Sequence, residues 1–444
     1  MTYRVSRRTG ACAAGVVSLF LALLSAGCSD PTGSPLAPDK ATPQPSPHVP
    51  LPPLGQVHWV PNQLVIRVDG KWTIEDVNAA CHTFTLAGMP DERIYLVGTP
   101  SGTGLYELAD YMVQLGYCSE AEPNYLLESP ESEQKSLAFY EGGFDHGDYV
   151  DQAALERIGA VAAHQFATGS GVLVAIVDTG IDLDHPDLGQ HIYPAGYDFI
   201  DRDTSPEDLP NGVDDNRNGD IDEATGHGTH VAGIVAAVAP GAMILPLRVL
   251  NSDGTGTVYN VAQAIFKAHK EGAQVINLSL GLNGDSQIIE RAIGVAYDGG
   301  AVLVASAGNR GIRDEEHFPA RLPEVIAVAA VDANDHKADF SNYGAHISVS
   351  APGVGIMSTY WNGGYALWSG TSMSVPFVVG AAALRIQMNP GTPDEIQELI
   401  EETSARFPGD SCPDVYAGLI GAGRVDLYSL VLARPVMALE TLAR

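Results

Sequence analysis

Positive charge is scarce in this sequence: 24 Lys and Arg stand against 54 Asp and Glu in 444 residues, a formal net charge of −30. Such a balance makes phosphate backbones and anionic lipid poor partners, which speaks against nucleic-acid binding and against docking on membranes through basic patches. Charge of either sign is sparse, at 18% of positions, and aromatic residues make up 7%. The apolar run from Ala11 to Leu24 falls short of the roughly 20 residues a spanning helix needs. Cysteine is also rare, with five in the chain, two of them among the first 30 residues. Of the other three, Cys81 and Cys118 could bridge a small domain with Cys412 left free, and the count allows two further single pairings. What is present is ample core material: 45% hydrophobic residues and 48 glycines argue against wholesale disorder. The length suits two to three domains, or one large α/β domain with appendages.

Arg4, Arg7 and Arg8 precede the Ala11 to Leu24 run, and small residues follow it, the pattern of an export signal over residues 1–27. The stretch Leu24-Ser25-Ala26-Gly27-Cys28 resembles the lipobox of bacterial lipoproteins, which implies lipidation of Cys28 and a membrane-anchored, exported protein. From Ser29 to Gly55 nine of 27 residues are proline. A segment of that composition favours extended conformations and reads as a tether over residues 28–55.

Pro61 to Val68 reads as a strand, Thr73 to about Thr83 as a helix, Arg93 to Val97 as a strand, Leu105 to Leu115 as a helix and Ala121 to Leu127 as a strand. This β-α-β-α-β order predicts a small α+β domain over residues 56–130, with a junction at 131–148. Beyond it, Val172 to Val177, Met243 to Leu247, Val275 to Leu278, Val302 to Ala305 and Val325 to Val331 are short, rich in β-branched residues and not alternating. Strands of that kind are buried on both faces, so residues 149–430 are expected to form an α/β domain, a mostly parallel sheet between layers of helices. Residues 431–444 are left as a tail.

In such sheets reactive side chains gather at the carboxyl ends of the strands. Asp178 follows directly from Val174-Ala175-Ile176-Val177; His227 opens the small-residue stretch Gly226-His227-Gly228-Thr229-His230; Ser372 opens Gly370-Thr371-Ser372-Met373-Ser374-Val375-Pro376. Singly, each has a bland account as a turn cap, a helix-lining imidazole or an N-cap. Together, in the order Asp, His, Ser, they resemble the subtilisin-like serine proteases over most of the chain beyond Tyr149. The resemblance implies a three-layer fold preceded by a propeptide, and hydrolysis of peptide bonds through an acyl-enzyme on Ser372. His227 would be the general base, oriented by Asp178.

By the same resemblance Asn309, in Ala305-Ser306-Ala307-Gly308-Asn309, is expected to donate to the oxyanion. Ser279, Leu280 and Gly281, with Ala307 and Gly308, would flank the pocket for the side chain before the scissile bond, and polypeptide substrates would bind as an added strand. The phrase Ala121-Glu122-Pro123-Asn124-Tyr125 is similar to the end of the family's propeptides, making the chain's own N-terminal domain a partner.

Besides Ser374-Val375 and Phe377 after the nucleophile, the chain departs from the family at two places that bear on metal binding. The Asn-rich loop that forms a tight calcium site in many relatives is absent after Ala237, which puts in doubt a ligand role for Asp187. Between Asp198 and Glu223 an insertion holds ten acidic residues in 26 positions. Within it Asp214, Asn216, Asn218, Asp220 and Asp222 alternate, with Gly219 at the sixth position, a spacing that suits a calcium loop. The rival reading is a solvated acidic loop. A different function class, a lipid-anchored surface scaffold that keeps the fold without catalysis, is disfavoured because all four reactive positions are occupied.

Overall fold

A computed structural model of the chain describes residues 59–132, 140–313, 317–407 and 416–433. The export signal, Cys28, the proline-rich tether and Cys412 lie outside the described residues.

The N-terminal domain is a four-stranded antiparallel sheet in the order Phe84–Met89, Ile94–Gly98, Trp59–Val68, Cys118–Glu128. Two helices, Ile74–Cys81 and Leu105–Gln114, cover it. Thr73 starts the first helix by accepting from the Asp76 amide while Asp76 accepts in return, a reciprocal cap. Leu64, Ile66, Val77, Val97 and Met112 fill its core. Cys81 and Cys118 are both buried in this core as free thiols, so the bridge allowed by the sequence is not formed. The edge strand Phe84–Met89 is absent from the sequence expectation. Its residues are largely exposed, so it carries no alternating apolar face to read.

The main domain is built on a seven-stranded parallel sheet. Its central strands are Leu173–Asp178, Met243–Arg248, Val275–Leu278, Val302–Ser306 and Val325–Val331. All five expected strands are present, and almost every residue in them is buried, because helices cover both faces. One apolar cluster holds the His227–Val238 and Thr371–Met388 helices against the sheet; the other holds Val258–Lys270 and Gln287–Asp298. Short edge strands such as Tyr197–Asp198 and Val349–Pro352 escape the sequence reading because a few residues carry no period. Among the described residues no helix is long and apolar enough to cross a membrane.

The last strand of the N-terminal domain crosses into the main domain. Leu126, Leu127 and Glu128 pair antiparallel with Thr257, Gly256 and Thr255, and Glu128 exchanges both backbone hydrogen bonds with Gly281 at 3.0 Å. The same strand docks through two polar side chains. Glu122 accepts from Ser286 Oγ at 2.5 Å and from the Gln287 amide at 2.9 Å, at the start of the Gln287–Asp298 helix. Asn124 Oδ1 accepts from the Tyr259 amide at 3.2 Å, at the start of the Val258–Lys270 helix. Helix N-termini present unpaired amides and a partial positive charge, so two oxygen side chains flanking Pro123 fit them.

Candidate active site

Asp178 ends a buried central strand, where the chain leaves the sheet and turns its carboxylate toward the helix that starts at His227. Its Oδ1 accepts from His227 Nδ1 at 2.7 Å and from the Thr179 amide at 2.7 Å. Both side chains are fully buried. The close approach requires glycine at 228, since a Cβ there would lie 2.1 Å from the Gly180 carbonyl oxygen. Trp368 packs edge-on against the His227 ring, with centroids 5.4 Å apart, and against His230 at 5.8 Å. His230 donates through Nε2 to the carbonyls of Ile356 and Ala366 at 3.1 Å, and burial pushes its pKa down to about 3, so it stays neutral.

The start of the His227 helix is held by a residue that motif reading missed. Asp208, buried within the acidic insertion, accepts from the Gly226 amide at 2.9 Å and from the amide and hydroxyl of Thr229 at 3.1 and 2.7 Å. It is a cap delivered from 18 residues upstream, so no local capping pattern marks it. We expect Asp208→Ala to lower stability by about 1–2 kcal/mol and to speed hydrogen exchange at Gly226 and Thr229. Asp208→Asn, which keeps one acceptor, should recover part of both; unchanged exchange in the Ala variant would contradict this role.

Ser372 opens the helix Thr371–Met388, and Pro376 sits four residues on. Proline has no N–H to return to the Ser372 carbonyl. That carbonyl accepts instead from Ser279 Oγ at 3.1 Å, and Ser279 is in turn contacted by Asn277 Nδ2 at 3.0 Å. The proline thus frees the group that ties the Ser372 turn to the Val275–Leu278 strand end. Asn309 is fixed from the other side: its Oδ1 accepts from the amide and hydroxyl of Thr371 at 2.9 and 2.8 Å. This orients the Asn309 amide nitrogen toward the space before Ser372.

That space holds a carboxylate. Glu131 is 8% exposed; its Oε2 accepts from Ser372 Oγ at 2.6 Å and pairs with His227 Nε2 at 3.0 Å. Its Oε1 accepts from Asn309 Nδ2 at 2.8 Å and from the Ser372 amide at 3.3 Å. Asp178, His227, Asn309 and Ser372 are therefore brought together, with Glu131 at their centre. Burial pulls the His227 imidazole down, but Asp178 and Glu131, one at each ring nitrogen, overrule it and push its pKa up to about 10. Burial likewise opposes ionisation of Glu131, yet His227, Ser372 and Asn309 hold its carboxyl below the ordinary range.

The two segments expected beside a substrate also meet here. Gly281 is the backbone partner of Glu128, and the Gly254-Thr255-Gly256 stretch forms the opposite wall. That second wall was not anticipated, although its glycines after a buried strand were a usable signal. Gly281 and Gly308 both face His317: a Cβ on Gly281 would lie 2.2 Å from His317 Nε2, and one on Gly308 would lie 3.2 Å from the ring. Burial pushes His317 down to about 4, and its buried Nε2 has no hydrogen-bond partner among the described residues. Asp314, Glu315 and Glu316 lie outside the described residues.

A family model described as the Subtilase family matches residues 169–422. The chain belongs to the subtilase family. It is 39% identical over 324 residues to a thermophilic serine proteinase of Bacillus sp. strain AK1, covering 70% of this chain and 72% of that one. It is 40% identical over 287 residues to thermitase of Thermoactinomyces vulgaris, covering 62% of this chain and 94% of that protein. Among solved structures, fervidolysin from Fervidobacterium pennivorans, described as a keratinolytic enzyme related to subtilisin, superposes with a TM-score of 0.69 at 27% identity. The match covers 85% of this chain and 62% of that longer one. This subtilase is accordingly a serine-type endopeptidase, and its substrates are polypeptides.

The acidic insertion of this subtilase spends its carboxylates largely on its own backbone and on Arg248. Asp198 and Asp201 bind Arg248 Nη1 at 2.6 and 2.9 Å. Asp253, from the loop after the Met243–Arg248 strand, accepts from the amides of Asp215, Asn216 and Asp222. Asp214 accepts from the amides of Asn218 and Gly219, while the Asn216 and Asn218 side chains both donate to Glu223 Oε1. Asp222 faces away, accepting from the Asn211 and Gly212 amides. Among the described residues no group of three or more His, Cys, Asp and Glu is spaced to hold a metal. Asp187 bonds His146 Nδ1 at 3.0 Å and Tyr365 OH at 2.6 Å.

Proposed function

We propose that this subtilase cleaves peptide bonds by nucleophilic attack of Ser372 Oγ on the scissile carbonyl. The observation that carries the reading is the convergence of four groups on one point: the Ser372 hydroxyl and amide, the Asn309 amide and the His227 Nε2, all within 3.3 Å of a single carboxylate. A carboxylate there stands in for the reacting carbon and its oxygens. With a substrate carbonyl in that place, neutral His227 takes the Ser372 proton as the oxygen attacks. Asp178 keeps the imidazole in the tautomer that donates from Nδ1 and stabilises the imidazolium that forms. Negative charge developing on the carbonyl oxygen is met by the Asn309 amide and the Ser372 N–H, both fixed before the reaction starts. His227 then returns the proton to the leaving amine, and water repeats the sequence on the acyl-enzyme.

Substrate would lie as a strand between Gly254–Gly256 and Ser279–Gly281, in the place that Leu126–Glu128 hold in the full chain. A fluorophosphonate probe tests the reading after limited proteolysis has removed the N-terminal domain. Labelling confined to Ser372 is expected, and absence of labelling would favour a non-catalytic scaffold.

We also propose that the 214–223 loop holds a structural calcium ion. Calcium takes amide as well as carboxylate oxygens, and Asp214, Asn216, Asn218 and Glu223 turn toward one another. Glu223 Oε2 is buried with no partner among the described residues, an acceptor that a cation would satisfy. Calcium at about 100 times its dissociation constant should stabilise the protein by about 2.7 kcal/mol. In an Asp214→Ala, Asn216→Ala, Asn218→Ala triple variant both the calorimetric binding and this stabilisation should vanish; equal binding by parent and variant would remove the site.

A further inference from the structure

His317 has no role in the chemistry set out above, yet its imidazole is buried between the two backbone segments expected to flank the side chain before the scissile bond. A short strand delivers it. His317 and Phe318 pair antiparallel with Asn283 and Leu282, just beyond the Ser279–Gly281 wall. Successive strand side chains point to opposite faces, so Phe318, fully buried in the apolar core, turns His317 the other way. The ring then lies across from one wall to the other. Its Nε2 and Cε1 come within 2.2 and 2.6 Å of where a Gly281 Cβ would stand, and its Cγ and Nδ1 within 3.2 Å of where a Gly308 Cβ would stand. Two walls without side chains are what leave room for it.

The ring is also chemically incomplete. Burial keeps it neutral; Glu131 pulls the other way, while Arg310 and His346 act with the burial. A neutral imidazole has one donor and one acceptor nitrogen, and a buried polar atom left unpaired is unfavourable. Among the described residues, Nε2 is such an atom. Packing alone does not account for it, because an apolar side chain of similar volume would fill the same gap with no polar atom to satisfy.

Resting on the peptidase reading above, we infer that His317 is a specificity-determining residue of this subtilase: its ring closes the pocket to a shallow cup with a polar floor, which selects peptides with a short, uncharged hydrogen-bonding side chain, asparagine above all, before the scissile bond. Size and polarity act separately. An aromatic side chain collides with a ring that spans both walls. Leucine, close to asparagine in size, enters but covers the imidazole with methyl groups and leaves its nitrogen without a partner. A carboxamide both donates and accepts, so it meets the ring in either tautomer.

The test starts from the full-length chain with its cleft opened by limited proteolysis, as for the probe experiment above. Three peptides that differ only in the residue before the scissile bond, Asn, Leu or Phe, are compared by kcat/KM, with fluorophosphonate titration counting the competent sites in each sample. The parent should favour Asn over Leu by at least about tenfold and over Phe by about a hundredfold. His317→Gly should raise cleavage of the Phe peptide at least about tenfold and erase the preference for Asn over Leu. His317→Gln, which keeps a polar floor and guards against a folding defect in the smaller variant, should retain that preference. A parent that cuts Phe as fast as Asn, a His317→Gly variant with the parent's ratios, or labelling without cleavage of the Asn peptide would overturn the role of His317 and leave the peptidase reading standing. Failure of every sample both to label and to cleave would instead overturn the peptidase reading and this inference with it.

Discussion

Replacing Ser372 by alanine is expected to lower turnover of a peptide substrate about a millionfold while leaving the fold intact. The size follows from the loss of the only nucleophile, because neither His227 nor Asn309 can form the acyl intermediate in its place. The structural cost is small. Ser372 Oγ donates to Glu131 Oε2 at 2.6 Å and more weakly to the Ser279 carbonyl at 3.4 Å, and Glu131 Oε2 keeps His227 as a partner without it. A change in stability of about 1 kcal/mol or less is anticipated. The Ser372→Ala chain should accumulate uncleaved, with a melting temperature close to that of a freshly purified parent. Residual turnover above about one per cent would mean that another residue performs the attack.

Asp178→Asn should cost about 10⁴ in turnover, for a reason visible in the hydrogen bonds. Asp178 Oδ1 accepts from both the Thr179 amide and His227 Nδ1, whereas among the described residues the buried Oδ2 has no partner. An asparagine that keeps its oxygen at the Oδ1 position must bury an unpaired NH₂ at the other. Turned over, it points that NH₂ at the Thr179 N–H and at His227 Nδ1, and forces the imidazole to carry its proton on Nε2. In that tautomer His227 cannot take the proton of Ser372. Either arrangement removes the charge that stabilises the imidazolium. The measurement is the steady-state rate across pH, and a loss smaller than tenfold would show that Asp178 does not set the tautomer.

Much of this was legible beforehand, and particular residues show why. The strands ending at Asp178 and Ser306 are apolar up to their last residue, and the one ending at Leu278 is broken only by Asn277, a pattern that burial on both faces produces, so the parallel sheet followed from them. His227, Asn309 and Ser372 stand in short glycine-rich phrases because each needs backbone to pass close by: Gly228 lies against the Gly180 carbonyl, and Gly308 has a φ of 94°. The phrase Glu122-Pro123-Asn124 was also visible, but its purpose was not. Only the fold shows Glu122 and Asn124 each seated on the N-terminus of a different helix.

The sequence by itself determined the parallel α/β fold, which depends on local periodicity, and it singled out Asp178, His227, Asn309 and Ser372 by their contiguous motifs. Tertiary structure alone decided which carboxylates matter beyond Asp178. Asp208 caps the His227 helix from across a loop, and Glu131 enters the active site from the segment that follows the N-terminal sheet, 241 residues ahead of the serine it contacts. An acidic residue in an acidic chain carries no mark of its own. Its chemistry is set by what surrounds it once burial has removed water, and those surroundings come from strands and helices distant in sequence.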